Sequence, residues 1–154
     1  MNVDDKAAVS DVAGKGLKVV VLASRFNGEY VDAMVTNCIT ELLAKGVSED
    51  DVVIKHVGGS LELPYAVKVV AAEIKPDVVI ALGVVVRGET THYDLVSEIT
   101  YQGLMQVQLN GDIPVIFGVL TCENFEQVED RVSSEGQNKG AEFAVTAILQ
   151  ANLK

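Results

Sequence analysis

The chain has 154 residues, enough for one domain that buries a core without disulfides or metal, and a second domain is not expected. Hydrophobic residues make up 49% of it and charged residues 22%, with no low-complexity tract, which excludes disorder as the organising theme. The net charge of −10, from 12 basic and 22 acidic side chains with no stripe of Lys or Arg, argues against nucleic acid as a partner and leaves phosphate recognition to a few placed cations and backbone amides.

Residues 1–15 show weak periodicity and no core of their own; they read as a frayed arm or as a strand that pairs with a neighbouring subunit, ahead of a single domain over 16–154. The arm carries acids and no apolar core of signal-peptide length, and no segment reaches about 18 uninterrupted apolar residues. The expectation is a cytoplasmic protein without membrane contact, or a plastid one if a transit peptide was removed.

Four apolar, β-branched runs follow as strands: Leu17 to Ala23, Val52 to Val57, Asp77 to Val86 and Ile113 to Leu120. Helical periodicity lies between and after them. Tyr30 to Lys45 places Val31, Met34, Val35, Cys38, Ile39 and Leu42 on one face, with Gly46 as a stop. Leu63 to Ile74 tolerates Pro64 in its first turn, Tyr93 to Leu109 closes on Asn110-Gly111, and Glu123 to Val132 and Ala141 to Leu153 complete the set. Strand and helix alternating in this way predict an α/β fold in three α/β/α layers: a doubly wound parallel sheet of flavodoxin-like order with right-handed crossovers.

In such a sheet, ligands bind beyond the carboxyl ends of the strands, so the turns there carry the interest. These are Ser24-Arg25-Phe26-Asn27, then Gly58-Gly59-Ser60-Leu61-Glu62, then Arg87 to His92, then Thr121-Cys122. Phe26 can stack on a planar heterocycle or cover the sheet edge. Glu62 can serve a site or simply the helix after it, and Gly58-Gly59 permits close backbone approach or makes a turn.

The segment Gly83 to Asp94, GVVVRGETTHYD, is the most informative. A buried strand ends abruptly at Arg87-Gly88, and Thr90 or Thr91 can cap a helix starting near His92. The positive end of a helix disfavours imidazolium, which suits a histidine there to accept a proton near pH 7. Arg87, Gly88, Glu89 and the two threonines form a turn whose NH groups and hydroxyls suit an anion. The alternative for His92 is a capping or packing role. His56, inside a strand pattern, reads as structural. Arg131 and Lys139 flank a Ser/Gly/Gln segment, either as solvated surface or as the cationic half of a phosphate site. Cys38 and Cys122 have neither CxxC spacing nor a histidine cluster, so no metal or redox centre is expected.

Five segments in order resemble the 6,7-dimethyl-8-ribityllumazine synthase family over nearly the whole chain: Arg25-Phe26-Asn27, Gly59 to Pro64, Arg87 to Asp94, Ile113 to Thr121, and Asn138-Lys139-Gly140. The resemblance implies a transferase of riboflavin biosynthesis. It condenses 5-amino-6-(D-ribitylamino)uracil with 3,4-dihydroxy-2-butanone 4-phosphate, releasing phosphate and water, and needs no cofactor. Carried over, Phe26 stacks on the pyrimidine, Ser60, Leu61 and Glu62 contact the ribityl chain and nearby atoms, and Val84, Val85 and Val86 line the ring pocket through their backbone. Glu89 and Thr90 match the phosphate turn, Arg131 the principal cation, His92 the proton-transfer residue, and Phe117 and Lys139 further pocket positions.

The resemblance also implies a site completed by an adjacent subunit, in a homopentamer that can assemble further into a sixty-subunit capsid. Leu61 stands where the family usually carries an aromatic, Gly58 where proline is common, and Ser133 to Gln137 where a more glycine-rich, basic segment is usual. The alternatives are a flavin- or lumazine-binding carrier without catalysis, which leaves His92 without a task, a riboflavin synthase of the archaeal type, and a structural shell protein.

Overall fold

A computed structural model describes residues 10–11 and 13–153; residues 1–9 of the predicted arm lie outside the described residues. Four strands, β1 (Val19–Ser24), β2 (Val52–Val57), β3 (Val78–Val86) and β4 (Val115–Cys122), form one sheet in the order β2-β1-β3-β4, and every pairing is parallel. This is the flavodoxin order, ending at the fourth strand. Among the described residues, five α-helices cover it: α1 (Gly28–Ala44), α2 (Leu63–Glu73), α3 (His92–Leu109), α4 (Phe125–Val132) and α5 (Lys139–Ala151).

The continuous apolar runs are explained by burial on both faces. Val19, Val21 and Ala23 of β1 pack with Met34 and Cys38 of α1, Val128 of α4 and Ile148 of α5. Val20 and Leu22 point the other way, onto Leu63 and Val67 of α2 and Leu104 of α3. Alternation along one strand therefore feeds two cores, and β1 is buried throughout.

Element ends differ from the predicted ones where side chains intervene. β1 starts at Val19 and β3 at Val78 because Lys18 and Asp77 bracket each other: the Lys18 NH donates to the Asp77 carboxylate at 2.7 Å, and the Asp77 NH to the Lys18 carbonyl at 2.8 Å. β4 runs to Cys122, two residues beyond the prediction, as its ladder with β3 continues through Val86↔Cys122. α4 begins at Phe125 rather than Glu123 because Asn124 caps it: the Asn124 side chain accepts the Gln127 NH at 2.9 Å, and the Gln127 side chain accepts the Glu123 NH at 2.8 Å. α1 stops as expected at Gly46, whose φ of 100° is open to glycine. The Gly46 and Val47 NH groups then reach back to the Leu43 and Leu42 carbonyls at 3.1 and 3.0 Å, satisfying the helix end.

Candidate active site

The turn after β1 is sewn to its neighbours. The Arg25 and Phe26 NH groups donate to the Val57 and Gly58 carbonyls at 2.8 and 3.0 Å. Asn27, in the left-handed region at φ 55°, donates through Nδ2 to the Val84 carbonyl at 2.9 Å. Held on both sides, the turn projects Phe26 into solvent with 69% of its surface exposed, so the ring does not serve the core.

After β2, Ser60–Glu62 forms a 3-10 turn leading into α2. Ser60 is buried at 6% exposure against β3, a fit that depends on Gly83: a Cβ there would lie 2.5 Å from the Ser60 hydroxyl. Leu61 is exposed, and the Glu62 carboxylate folds back toward Gly59. Beyond them Val84 is buried, while Val85 and Val86 are half-buried at the end of β3.

His92 opens α3 and is exposed. The Thr90 hydroxyl accepts its backbone NH at 3.3 Å, whereas Thr91, in the capping position, makes no such bond. Between the two candidates, Thr90 therefore supplies the side-chain contact. Arg87 turns out to be engaged elsewhere. Its terminal nitrogens meet both Asp94 oxygens at 3.1 and 3.2 Å, its Nε meets Glu123 at 2.7 Å, and its guanidinium lies 4.3 Å from the centre of the Tyr93 ring. These carboxylates hold Arg87 firmly charged, with its pKa raised first by Asp94 and then by Glu123. Arg87 thus braces the His92 turn and is not a free cation for an anion.

One cleft of about 340 Å³ is lined by Phe26, Ser60, Leu61, Glu62, Val84, Val85, Val86, Thr90 and His92. Glu89 is exposed next to it but does not line it. Gly88, expected in the anion turn, lines it, as do Tyr93 and Val96, which were not among the predicted site residues. Val96 was findable, since it lies four residues after His92 on the same helical face.

The remaining three predicted residues, Phe117, Arg131 and Lys139, share a second depression of about 260 Å³ with Tyr101, Thr121 and Phe143. It has no lining residue in common with the first. Arg131 donates to the Gln127 carbonyl at 3.1 Å, and Lys139 pairs with Glu142 at 3.0 Å. The Ser133 to Gln137 segment between them folds on itself: the Gln137 NH and side chain bind the Asp130 carbonyl and carboxylate at 2.8 and 2.7 Å, and the Asn138 NH binds the Ser133 carbonyl at 3.0 Å. That loop sets the spacing of the two cations. A larger depression, about 770 Å³, lies between α2 and α3 around Pro64, Lys68, Gly103 and Val107, and holds none of the predicted residues. The 340 Å³ cleft is the candidate for chemistry, because among the described residues a histidine, a carboxylate and an exposed aromatic converge on it.

Comparison with known proteins bears on the family. The family model for 6,7-dimethyl-8-ribityllumazine synthase matches residues 16–154. A protein of Porphyromonas gingivalis named 6,7-dimethyl-8-ribityllumazine synthase is 39% identical over 153 residues, covering 99% of this chain and 95% of that protein. On that extent of similarity, the chain belongs to the 6,7-dimethyl-8-ribityllumazine synthase family.

Proposed function

We propose that this protein condenses 5-amino-6-(D-ribitylamino)uracil with 3,4-dihydroxy-2-butanone 4-phosphate to form 6,7-dimethyl-8-ribityllumazine. The observation that carries the reading is the gathering of Phe26, Ser60, Glu62, the end of β3 and His92 around one cleft. An exposed ring offers a stacking face for the pyrimidine, and the polar 3-10 turn offers partners for a polyol chain.

The chemistry needs proton transfers more than covalent help. The pyrimidine amine adds to the ketone carbon and water leaves, giving an imine. Loss of a proton from the neighbouring carbon expels phosphate, and the second amine then closes the ring with release of another water. His92, exposed at the cleft, is the group that moves protons between these steps. Holding two substrates together removes much of the entropic barrier. The departing phosphate needs positive charge and NH donors, which Arg131 and the turn around Gly88 to Thr90 supply.

Within one chain, the His92 cleft and the Arg131–Lys139 depression are separate. We therefore assign them to two different sites in a homo-oligomer, each site pairing the cleft of one copy with the cationic depression of the next. Membership of the family supports a pentamer as the basic ring, and a sixty-subunit capsid as a further level. Two surfaces support self-association. α3 exposes Leu95, Ile99 and Leu109 at 55%, 54% and 73%, and among the described residues β2 stands at the sheet edge, with Ile54, Lys55 and His56 exposed. A head-to-tail contact of this kind closes into a ring when its rotation divides a full turn.

The test of the reaction is absorbance and fluorescence of the purified protein with both substrates, against the slow uncatalysed condensation. Protein-dependent lumazine formation is expected; binding without acceleration would leave a carrier instead. The shared site is tested by co-assembling the impaired variants His92→Ala and Arg131→Ala and assaying at butanone phosphate concentrations far below the KM of Arg131→Ala. Recovery of about a quarter of wild-type activity is expected from random cyclic mixing, and no recovery would place both residues in one chain's site. Sedimentation gives the size of the assembly.

A further inference from the structure

Among the described residues, β4 is an edge strand, paired only with β3. The Pro114 and Cys122 carbonyls accept from Val79 and Arg87 on the β3 side, so by alternation the NH and carbonyl groups of Val115, Phe117 and Val119 face away from the ladder. Two side chains of α3 meet that outer edge. The Gln108 side-chain oxygen accepts the Val115 NH at 2.7 Å, and the Tyr101 hydroxyl donates to the Val119 carbonyl. Seven residues of helix span about 10 Å and four residues of strand about 13 Å, so one helix face can grip the edge at both points. Phe117 lies midway between the two anchors. Its ring also packs against Tyr101, with centroids 6.0 Å apart and the planes tilted by 52°.

We propose that Tyr101 and Gln108 are positioning residues for Phe117, the aromatic wall of the half-site that also holds Arg131 and Lys139. By tying down the backbone on either side of Phe117, and by packing on its ring, they fix the wall that this copy presents to its neighbour's substrate. The pair also occupies polar groups that would otherwise invite an extra strand. The inference rests on the proposed function, with the Phe117 ring taken as a wall against the planar pyrimidine and the cations beside it as the phosphate's partners.

The experiment is steady-state kinetics of wild type, Tyr101→Phe, Gln108→Leu and Gln108→Glu, with assembly size checked by sedimentation. Tyr101→Phe keeps the ring and removes the donor. Gln108→Leu removes the acceptor, and Gln108→Glu restores one. Tyr101→Phe and Gln108→Leu are each expected to raise KM for the pyrimidine about 3- to 10-fold, the effect of one lost hydrogen bond. The kcat and the KM for the butanone phosphate should stay within about twofold of wild type, and Gln108→Glu should return the pyrimidine KM toward wild type. Unchanged pyrimidine KM in both disrupting variants overturns the proposal, as does a parallel loss in kcat and both KM values with a broken assembly. If Tyr101→Phe fails to assemble, the Gln108 pair decides. Wild type without condensation activity would overturn the functional reading itself, a separate result.

Discussion

Arg87 grips Asp94 with both terminal nitrogens, at 3.1 and 3.2 Å, across the first turn of α3. Its remaining nitrogen is taken by Glu123 beyond the end of β4. The strand that precedes the histidine, the helix that bears it and the β4–α4 turn are thereby joined through one guanidinium. A planar fork with both partners already in place has little left for a phosphate. Arg87→Met should lower kcat several-fold as the His92 turn loosens, with KM for the butanone phosphate little changed. Arg87 and its two carboxylates are exposed, so the melting temperature should move little. Steady-state kinetics with each substrate varied provide the check, and a large rise in that KM would return Arg87 to the phosphate site.

The two half-sites should separate in kinetics. His92→Ala removes a proton-transfer group, so kcat should fall on the order of 10²-fold, the low end for general acid–base catalysis in a reaction that already proceeds slowly alone. Substrate binding should be largely kept. Arg131→Ala removes a charge-assisted contact and should raise KM for the phosphorylated substrate about 10- to 100-fold. The pyrimidine KM should change much less. Wild-type kinetics in both variants would remove the assignment.

Thr100 on α3 is fully buried, and its hydroxyl has no hydrogen-bond partner among the described residues. A desolvated hydroxyl without a partner costs free energy that an equal-sized methyl does not. Thr100→Val should therefore stabilise the protein by about 1 kcal/mol, or raise the melting temperature by about 2–4 °C. Thermal denaturation at fixed protein concentration measures it, and a loss of stability would show that the hydroxyl is satisfied in the assembly.

Burial pushes the Cys38 thiol up to about 12, from an ordinary 9.0. The folded state holds this proton over a range in which the unfolded chain has released it. The resulting stability is complete below about pH 9 and is lost as pH rises toward 12. Denaturant midpoints measured from pH 8 upward should fall for wild type, and fall less steeply for Cys38→Ala. The thiol should also resist alkylation at pH 8 while the protein is folded.

Much of the fold was legible in the chain because strand and helix leave different periods. Val78 to Val86 is apolar at every position and flanked by Pro76-Asp77 and Arg87-Gly88, a pattern that a strand buried on both faces leaves behind. Gly46 marked the end of α1 because few other residues adopt its φ cheaply. The ends set by side chains were not legible. That Asn124 and Gln127 cap α4, or that Lys18 and Asp77 bracket two strands, depends on which groups meet, and periodicity carries no such information.

The site divides in the same way. Residue types placed at strand ends, with five segments in family order, were enough to single out Phe26, Ser60, Glu62, His92, Arg131 and Lys139, because ligand chemistry concentrates where the backbone leaves its ladder. Tertiary structure decided what each of them faces. It put Phe26 in solvent, took Arg87 out of the anion turn by giving it two carboxylates, and divided the site residues between two depressions of one chain. The physical reason is range. Local preferences and burial act within a turn or along one strand and can be read in order, whereas a hydrogen bond such as Asn27 to Val84 joins residues 57 positions apart and exists only once the sheet has brought them together.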